Sequence, residues 1–232
     1  MFRKLIGIVA ILSLGACASP YIATPYDRAS ANVSSIAVVD DGLEPKAMAY
    51  EVASTGANFG LIGALVDAGI QESRKDAVNK ALEGVQFNAE DLMEARLATA
   101  IRGQGYSVSQ LSGPRAKRDF LVTYPTAEGG TDAYLDMVVL NYGYMSSGAG
   151  QPFRPTVYAK VRLMRASDNT MLMENMILYN PIAPSEGVIT LSPNPEYAFR
   201  HREGLLEDPA RLAAGLEDAL NQVADTAAQL LR

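Results

Sequence analysis

Cys17 is the only cysteine in a chain of 232 residues. A lone thiol cannot form an intrachain disulfide, and no cysteine-based zinc site is available to it. The single histidine, His201, lies between Arg200 and Arg202, so any serine triad would have to use it. No G-x-S-x-G motif accompanies it, and the nearest stretch, Met145 to Gly150, has the wrong spacing. His201 therefore reads as a surface residue in a basic cluster. Asp40 and Asp41 are adjacent carboxylates that could ligate a metal, but with no histidine or cysteine partner they read as a solvated turn, and no metal is assigned. Gly56, Gly60 and Gly63 have the spacing of a glycine-rich loop, yet no lysine and hydroxyl pair follows to hold phosphate. Tyr142 and Tyr144, two apart, share one side of a strand beside the glycine-rich Ser146 to Pro152. Their rings could hold a glycan or a peptide, or cover a sheet edge.

The approach to Cys17 gives its thiol a use. Arg3 and Lys4 form a basic head, Leu5 to Leu12 an apolar stretch, and Leu14-Gly15-Ala16 a run dominated by small residues before the cysteine. This three-part pattern is that of a secretory signal, and an apolar core of about ten residues is too short to span a bilayer. Leu14-Gly15-Ala16-Cys17 resembles the lipobox of bacterial lipoproteins. That resemblance implies recognition by signal peptidase at Leu14, Gly15 and Ala16, cleavage before Cys17, a diacylglycerol thioether on its sulfur and acylation of the new amino terminus. Three acyl chains, at about 0.8 kcal/mol per buried methylene, would hold the product to a membrane without threading it through. Ala18 follows the cysteine where inner-membrane lipoproteins of the family carry aspartate, which implies the periplasmic leaflet of the outer membrane.

Composition sets the remaining bounds. Loss of residues 1–16 takes the 20 basic residues to 18 against 26 acidic ones, and the formal charge from −6 to −8. An acidic chain argues against nucleic acid and against a basic patch on anionic lipid. With 48% apolar residues the chain can bury a full core, and its length fits one domain. Residues 18–33, with two prolines and no periodicity, read as a tether, and residues 34–232 as a single periplasmic domain.

The elements that must position these residues follow from periodicity. Ser34 to Asp40 is a β-branched apolar run, predicted as a strand buried on both faces, and 41–58 is read as loop. Gly56 to Gly84 reads as a helix with a buried leading end. Its Gly56, Gly60, Ala64 and Ala68 form a small-residue ridge that can pack on a second subunit, on lipid or on the domain's own sheet. A second helix begins at the cap Asn88, with Leu92, Met93, Leu97, Ala100 and Ile101 as its apolar face. Strands are predicted at Tyr106 to Leu111, Arg118 to Tyr124 and Asp132 to Met145. A hairpin then turns at Ser167-Asp168-Asn169. Residues 181–207, broken by prolines, read as an ordered surface loop. Asp208-Pro209 starts an amphipathic helix carrying Leu212, Leu216, Leu220, Val223, Ala227 and Leu230.

This order predicts an α/β (α+β) domain, with a mixed, largely antiparallel sheet packed by helices that include the long carboxy-terminal one. Ser34 to Asp40, the helix leading to Ile101 to Val108, the strand Arg118 to Tyr124 and the hairpin Lys160 to Asn175 resemble the periplasmic α/β domain shared by the amino-terminal part of TolB, the lipoprotein CsgG and LpoB. The resemblance spans about residues 34–232. The expectation is a non-enzymatic lipoprotein, without cofactor, that serves as adaptor or accessory factor in envelope assembly or transport, with an envelope protein or peptidoglycan as partner. The alternative is an oligomeric export or pore component that packs its 56–69 segment between subunits.

Overall fold

The computed structural model describes residues 21–52, 68–112, 115, 117–125 and 130–232. In chain order the elements are α1 (Arg28–Ala31), β1 (Ser35–Val39), β2 (Met48–Glu51), α2 (Ala68–Gly84), α3 (Ala89–Gly103), β3 (Ser107–Leu111), β4 (Ala133–Ser146), β5 (Arg154–Arg165), β6 (Met171–Tyr179), β7 (Ile189–Leu191), α4 (Glu203–Glu207) and α5 (Pro209–Gln229). The strands form one mixed seven-stranded sheet in the order β3-β1-β4-β5-β6-β7, with β2 also paired to β4. This is the α/β architecture expected. None of the helices described is long and apolar enough to cross a membrane.

The helices cover one face. In α5 the Asp208 carboxylate accepts from the Arg211 amide, and Pro209 fills the first turn, where no amide proton is needed. Leu212, Leu216, Leu220, Val223 and Ala227 are fully buried on the sheet; each leucine contributes about 1.5–3 kcal/mol by leaving water. Leu230, expected on that face, is only half-buried, and Leu231 takes the core position beyond the helix end. Asn88 caps α3 as predicted, its Oδ1 accepting from the Glu90 and Asp91 amides, and Met93, Leu97 and Ile101 point into the core.

β4 is the central strand, and its neighbours explain two departures from the sequence reading. β1 and β2 lie end to end along the same edge of β4, pairing Ile36 with Ala133 and Met48 with Gly143. The expected loop at 41–58 therefore contains a strand. Its period was hidden because β2 is four residues long and joins β4 where Gly143 carries no side chain; a Cβ there would overlap the Met48 backbone. The predicted strand Arg118 to Tyr124 does not form. Both edges of β4 are taken, so this segment lies as an irregular strap across the sheet's second face. Tyr124 stacks on Tyr134, Phe120 sits beneath Lys160 and Arg162, and Val122 is left exposed.

The hairpin of β5 and β6 turns at Ser167-Asp168-Asn169 as expected, with Asn169 at φ +57°. Residues 21–33, read as tether, are packed against the domain: Thr24 pairs with Glu174, Asp27 caps α1, and Ala31 and Val33 are buried. Residues 181–207 are ordered by specific bonds. Arg211 donates to the Glu196 and Ala198 carbonyls and lies over the Phe199 ring, while the Asn194 amide donates to the Tyr179 hydroxyl.

Candidate functional site

Between β1 and β2 the chain leaves the ladder for residues 40–47, held to β4 by one bridge from Leu43 to Val139. Asp41 adopts φ +58°, and Gly42 presses so closely on the Met137 carbonyl that a Cβ would overlap it. The detour opens a notch beyond the carboxyl end of β1. Here the chain goes out through α2 and α3 to β3 on one side and returns past β1 to β4 on the other, the kind of switch point where α/β sheets place ligands.

Three carboxylates meet in the notch. Asn88 sets the start of α3 so that Glu90 and Glu94, four residues apart, share the helix face that looks at Asp40. One oxygen from each of Asp40, Glu90 and Glu94 lies within 4.8 Å of the others. Asp40 Oδ1 accepts from the Asp41 amide, and Gln110 donates to Glu94 Oε2 at 2.9 Å. Burial raises Glu94 to about 8, helped by its hydrogen bond to Asp40 and by the negative charges of Asp40 and Glu90. The same hydrogen bond holds Asp40 below the usual carboxylate range. Glu94 is thus a neutral acid at pH 7 that donates to the Asp40 carboxylate, and the pair shares one proton. Glu90 is raised as well, by burial and then by Asp41 and Asp40, and its Oε1 is a buried atom without a hydrogen-bond partner among the described residues.

The notch encloses about 30 Å³, lined by Val38, Leu43, Met93 and Leu97 besides Glu90 and Glu94, and the Asp40 carboxylate stands beside it, within 4.8 Å of theirs. One water needs about 10–15 Å³, so there is room for two or three waters or for a bare cation. The three carboxylates could each give one oxygen to a cation. Glu44, at the rim, is neutralised by Lys75 at 3.7 Å and Arg118 at 3.4 Å.

Behind the notch, Arg115 ties the detour to the strap. Its Nε donates to the Asp41 carbonyl, Nη2 to the Asp40 carbonyl and Nη1 to the Asp119 carbonyl, and Nη1 lies 2.9 Å from Asp136 Oδ1. Asp136 is fully buried in β4, and its other oxygen accepts from the Leu121 amide and the Tyr124 hydroxyl. Burial, then the Asp136 charge, pushes the Tyr124 hydroxyl up, so it stays a donor.

The residues singled out from sequence fare unequally. Asp40 lies in the notch, whereas Asp41 turns the chain at its rim. Tyr142 and Tyr144 do share a face, but it is the helix-covered one, and both are buried in the core. They offer no ring to a ligand, because the bulge in β4 between Val139 and Asn141 carries both beneath the helices. Burial raises Tyr142 to about 12, with Glu44 and Glu90 adding to the shift. His201 is exposed. Leu14, Gly15, Ala16, Cys17, Gly56, Gly60 and Ala64 lie outside the described residues, and Ala68 is the first residue of α2. Glu90, Glu94, Arg115 and Asp136 were not singled out. The available signal was the pair of glutamates four apart just after a helix cap.

No family model matches the sequence, and neither does any curated protein. Among solved structures, the chain is similar to protein XCC0632 from Xanthomonas campestris, described under family model DUF330, at 15% identity and a TM-score of 0.40, covering 90% of each chain. It is also similar to the PelC dodecamer from Paraburkholderia phytofirmans in two crystal forms. In space group P6 the identity is 14% and the TM-score 0.29, over 87% of this chain and 94% of that one. In space group C2 the values are 12% and 0.27, over 87% and 93%.

Proposed function

We propose that this chain is a lipid-anchored, non-enzymatic lipoprotein on the periplasmic leaflet of a bacterial outer membrane, whose α/β domain holds or recruits a partner in envelope assembly or transport. The observation that carries the reading is Leu14-Gly15-Ala16-Cys17 behind a basic and apolar head. The resemblance to TolB, CsgG and LpoB domains supports it. The packing of the amino-terminal segment adds a constraint. Tyr21 is already seated, its carbonyl against Gly187, and the four residues from Cys17 can reach at most about 14 Å. An acylated Cys17 would hold the domain close to the bilayer, with the exposed Ile22 at its foot.

Mass spectrometry of material from native cells tests the anchor. The reading expects a mature chain beginning at Cys17 and carrying three acyl chains, with the Cys17→Ser variant uncleaved or released from membranes. An unmodified, freely released wild-type chain would overturn it. Cross-linking of the lipidated protein in cells, followed by pull-down, identifies the partner.

The four-residue spacing of Gly56, Gly60, Ala64 and Ala68 in the sequence favours a second reading in which the chain is an oligomeric export or pore component. Light scattering separates the two: a stable ring supports the oligomer, and a monomer supports the adaptor.

A further inference from the structure

A second cavity, of about 200 Å³, opens at the other end of β4. That is more than ten times what one water occupies. Its floor is the row in which Met145 of β4 pairs with Arg154 of β5, and its walls are Ser147, Asn180 and the side chains of Pro152 and Ile182. Arg154 is half-buried, and its guanidinium makes no hydrogen bond and no ion pair with any of the described residues. Every other arginine near the sheet's second face is engaged: Arg162 with Glu174, and Arg115 with Asp136. Glu51, at the end of β2, pairs with Ser146 and so faces away from the Met145–Arg154 row.

The frame around this cation is rigid. The Ser146 hydroxyl lies within 2.8 Å of the Gly148 and Gln151 carbonyls, and Gly150 turns at φ +75°. Phe153 is clamped to Phe199 by two backbone hydrogen bonds of 2.7 and 2.8 Å. Asn180 is held at φ +58°, with its amide donating to the Leu191 carbonyl. A guanidinium partly removed from water, without a counter-charge among the described residues, set in a preformed cavity beside a hydroxyl and a carboxamide, is complementary to an oxyanion. Three donor groups from three segments suit the several oxygens of a phosphate better than the two of a carboxylate.

We propose that the cavity lined by Arg154, Ser147 and Asn180 is a phosphate-binding site, with Arg154 as the charged anchor and the other two as neutral donors. The phosphate can belong to a soluble ion or to a lipid headgroup, and the site is independent of the lipid anchor.

The test follows the Arg154 Nε–H signal by NMR in the purified full chain in non-ionic detergent, titrated with inorganic phosphate in one arm and with short-chain phosphatidylglycerol in the other. The expected result is a saturable shift of that signal in at least one arm. Affinity should fall about tenfold or more in Arg154→Gln, less in Arg154→Lys, and by a few-fold in Ser147→Ala. Equal or tighter binding of the ion assigns the site to soluble phosphate, and tighter binding of the lipid assigns it to a headgroup. No saturable shift in either arm, or unchanged phosphate binding in a folded Arg154→Gln, overturns the proposal. Should the Gln variant fail to fold, the wild-type signal and Arg154→Lys decide.

Discussion

The hydroxyl of Tyr144, on β4, is aimed at the backbone of Gly215 in α5, and no group among the described residues accepts or donates a hydrogen bond to it. The fit exists because residue 215 has no side chain: a Cβ would overlap the Tyr144 hydroxyl and crowd the Tyr197 Cβ. Gly215→Ala should therefore destabilise the domain by about 1–3 kcal/mol, as overpacking does. Tyr144→Phe should be neutral or stabilising, since it removes a buried hydroxyl that has lost water without gaining a partner. Urea unfolding of both single variants and the double variant measures the coupling. Additive effects would show that the two groups do not meet.

The shared proton between Asp40 and Glu94 makes stability depend on pH in a stated direction. Glu94 is raised in the folded state, from an ordinary glutamate value to about 8, so folding favours its neutral form. Its contribution is complete below the unfolded value and is lost as pH rises from about 4.5 through 8. Glu94→Gln keeps a neutral side chain that can still donate to Asp40. Thermal melts from pH 5 to 9 should decline for the wild type and flatten over that window for the variant, with the variant the more stable at pH 9.

Asp132 runs the other way. Its Oδ2 accepts from the Ser34 and Ser35 amides and from both hydroxyls, and these bonds outweigh partial burial to hold it at about 2. A depressed carboxylate stabilises the fold above its unfolded value, near 3.9, and that support is lost as pH falls toward 2. Asp132→Asn should lower stability at pH 6 and shrink the difference from wild type at pH 2. Acid titration of fluorescence or circular dichroism reads both.

The buried pair of Arg115 and Asp136 is the lock on the strap. Removing one partner leaves an uncompensated charge in the interior, so Arg115→Met should cost about 3–5 kcal/mol, and Arg115→Met with Asp136→Leu should recover part of it. Because Arg115 also holds the Asp40 and Asp41 carbonyls, limited proteolysis of Arg115→Met should cut first within residues 117–125. A cleavage pattern unchanged from wild type would show that the strap is held by Phe120 and Tyr124 alone.

Much of this molecule was legible in its residues. Asn88, Asp208 and Pro209 mark helix starts through local hydrogen bonding, and the leucines of α5 mark a face through their period; both signals act over a few residues. The hairpin turn at Asp168-Asn169 is of the same kind. Read alone, the sequence also gives the order of elements, the α/β class and the lone thiol that bounds the chemistry at Cys17. What tertiary structure decided was which edges of β4 were still free and which face each side chain met. Arg118 to Tyr124 has strand composition but meets β4 with both its edges taken, and becomes a strap. Met48 to Glu51 has little strand composition but finds an edge opposite Gly143. Tyr142 and Tyr144 alternate correctly, yet a bulge placed them inside. The carboxylates of Asp40, Glu90 and Glu94, and the guanidinium of Arg154, which has no partner among the described residues, acquire much of their character from neighbours far away in the chain. Charge and burial depend on distance in space, and that distance is set when the sheet closes.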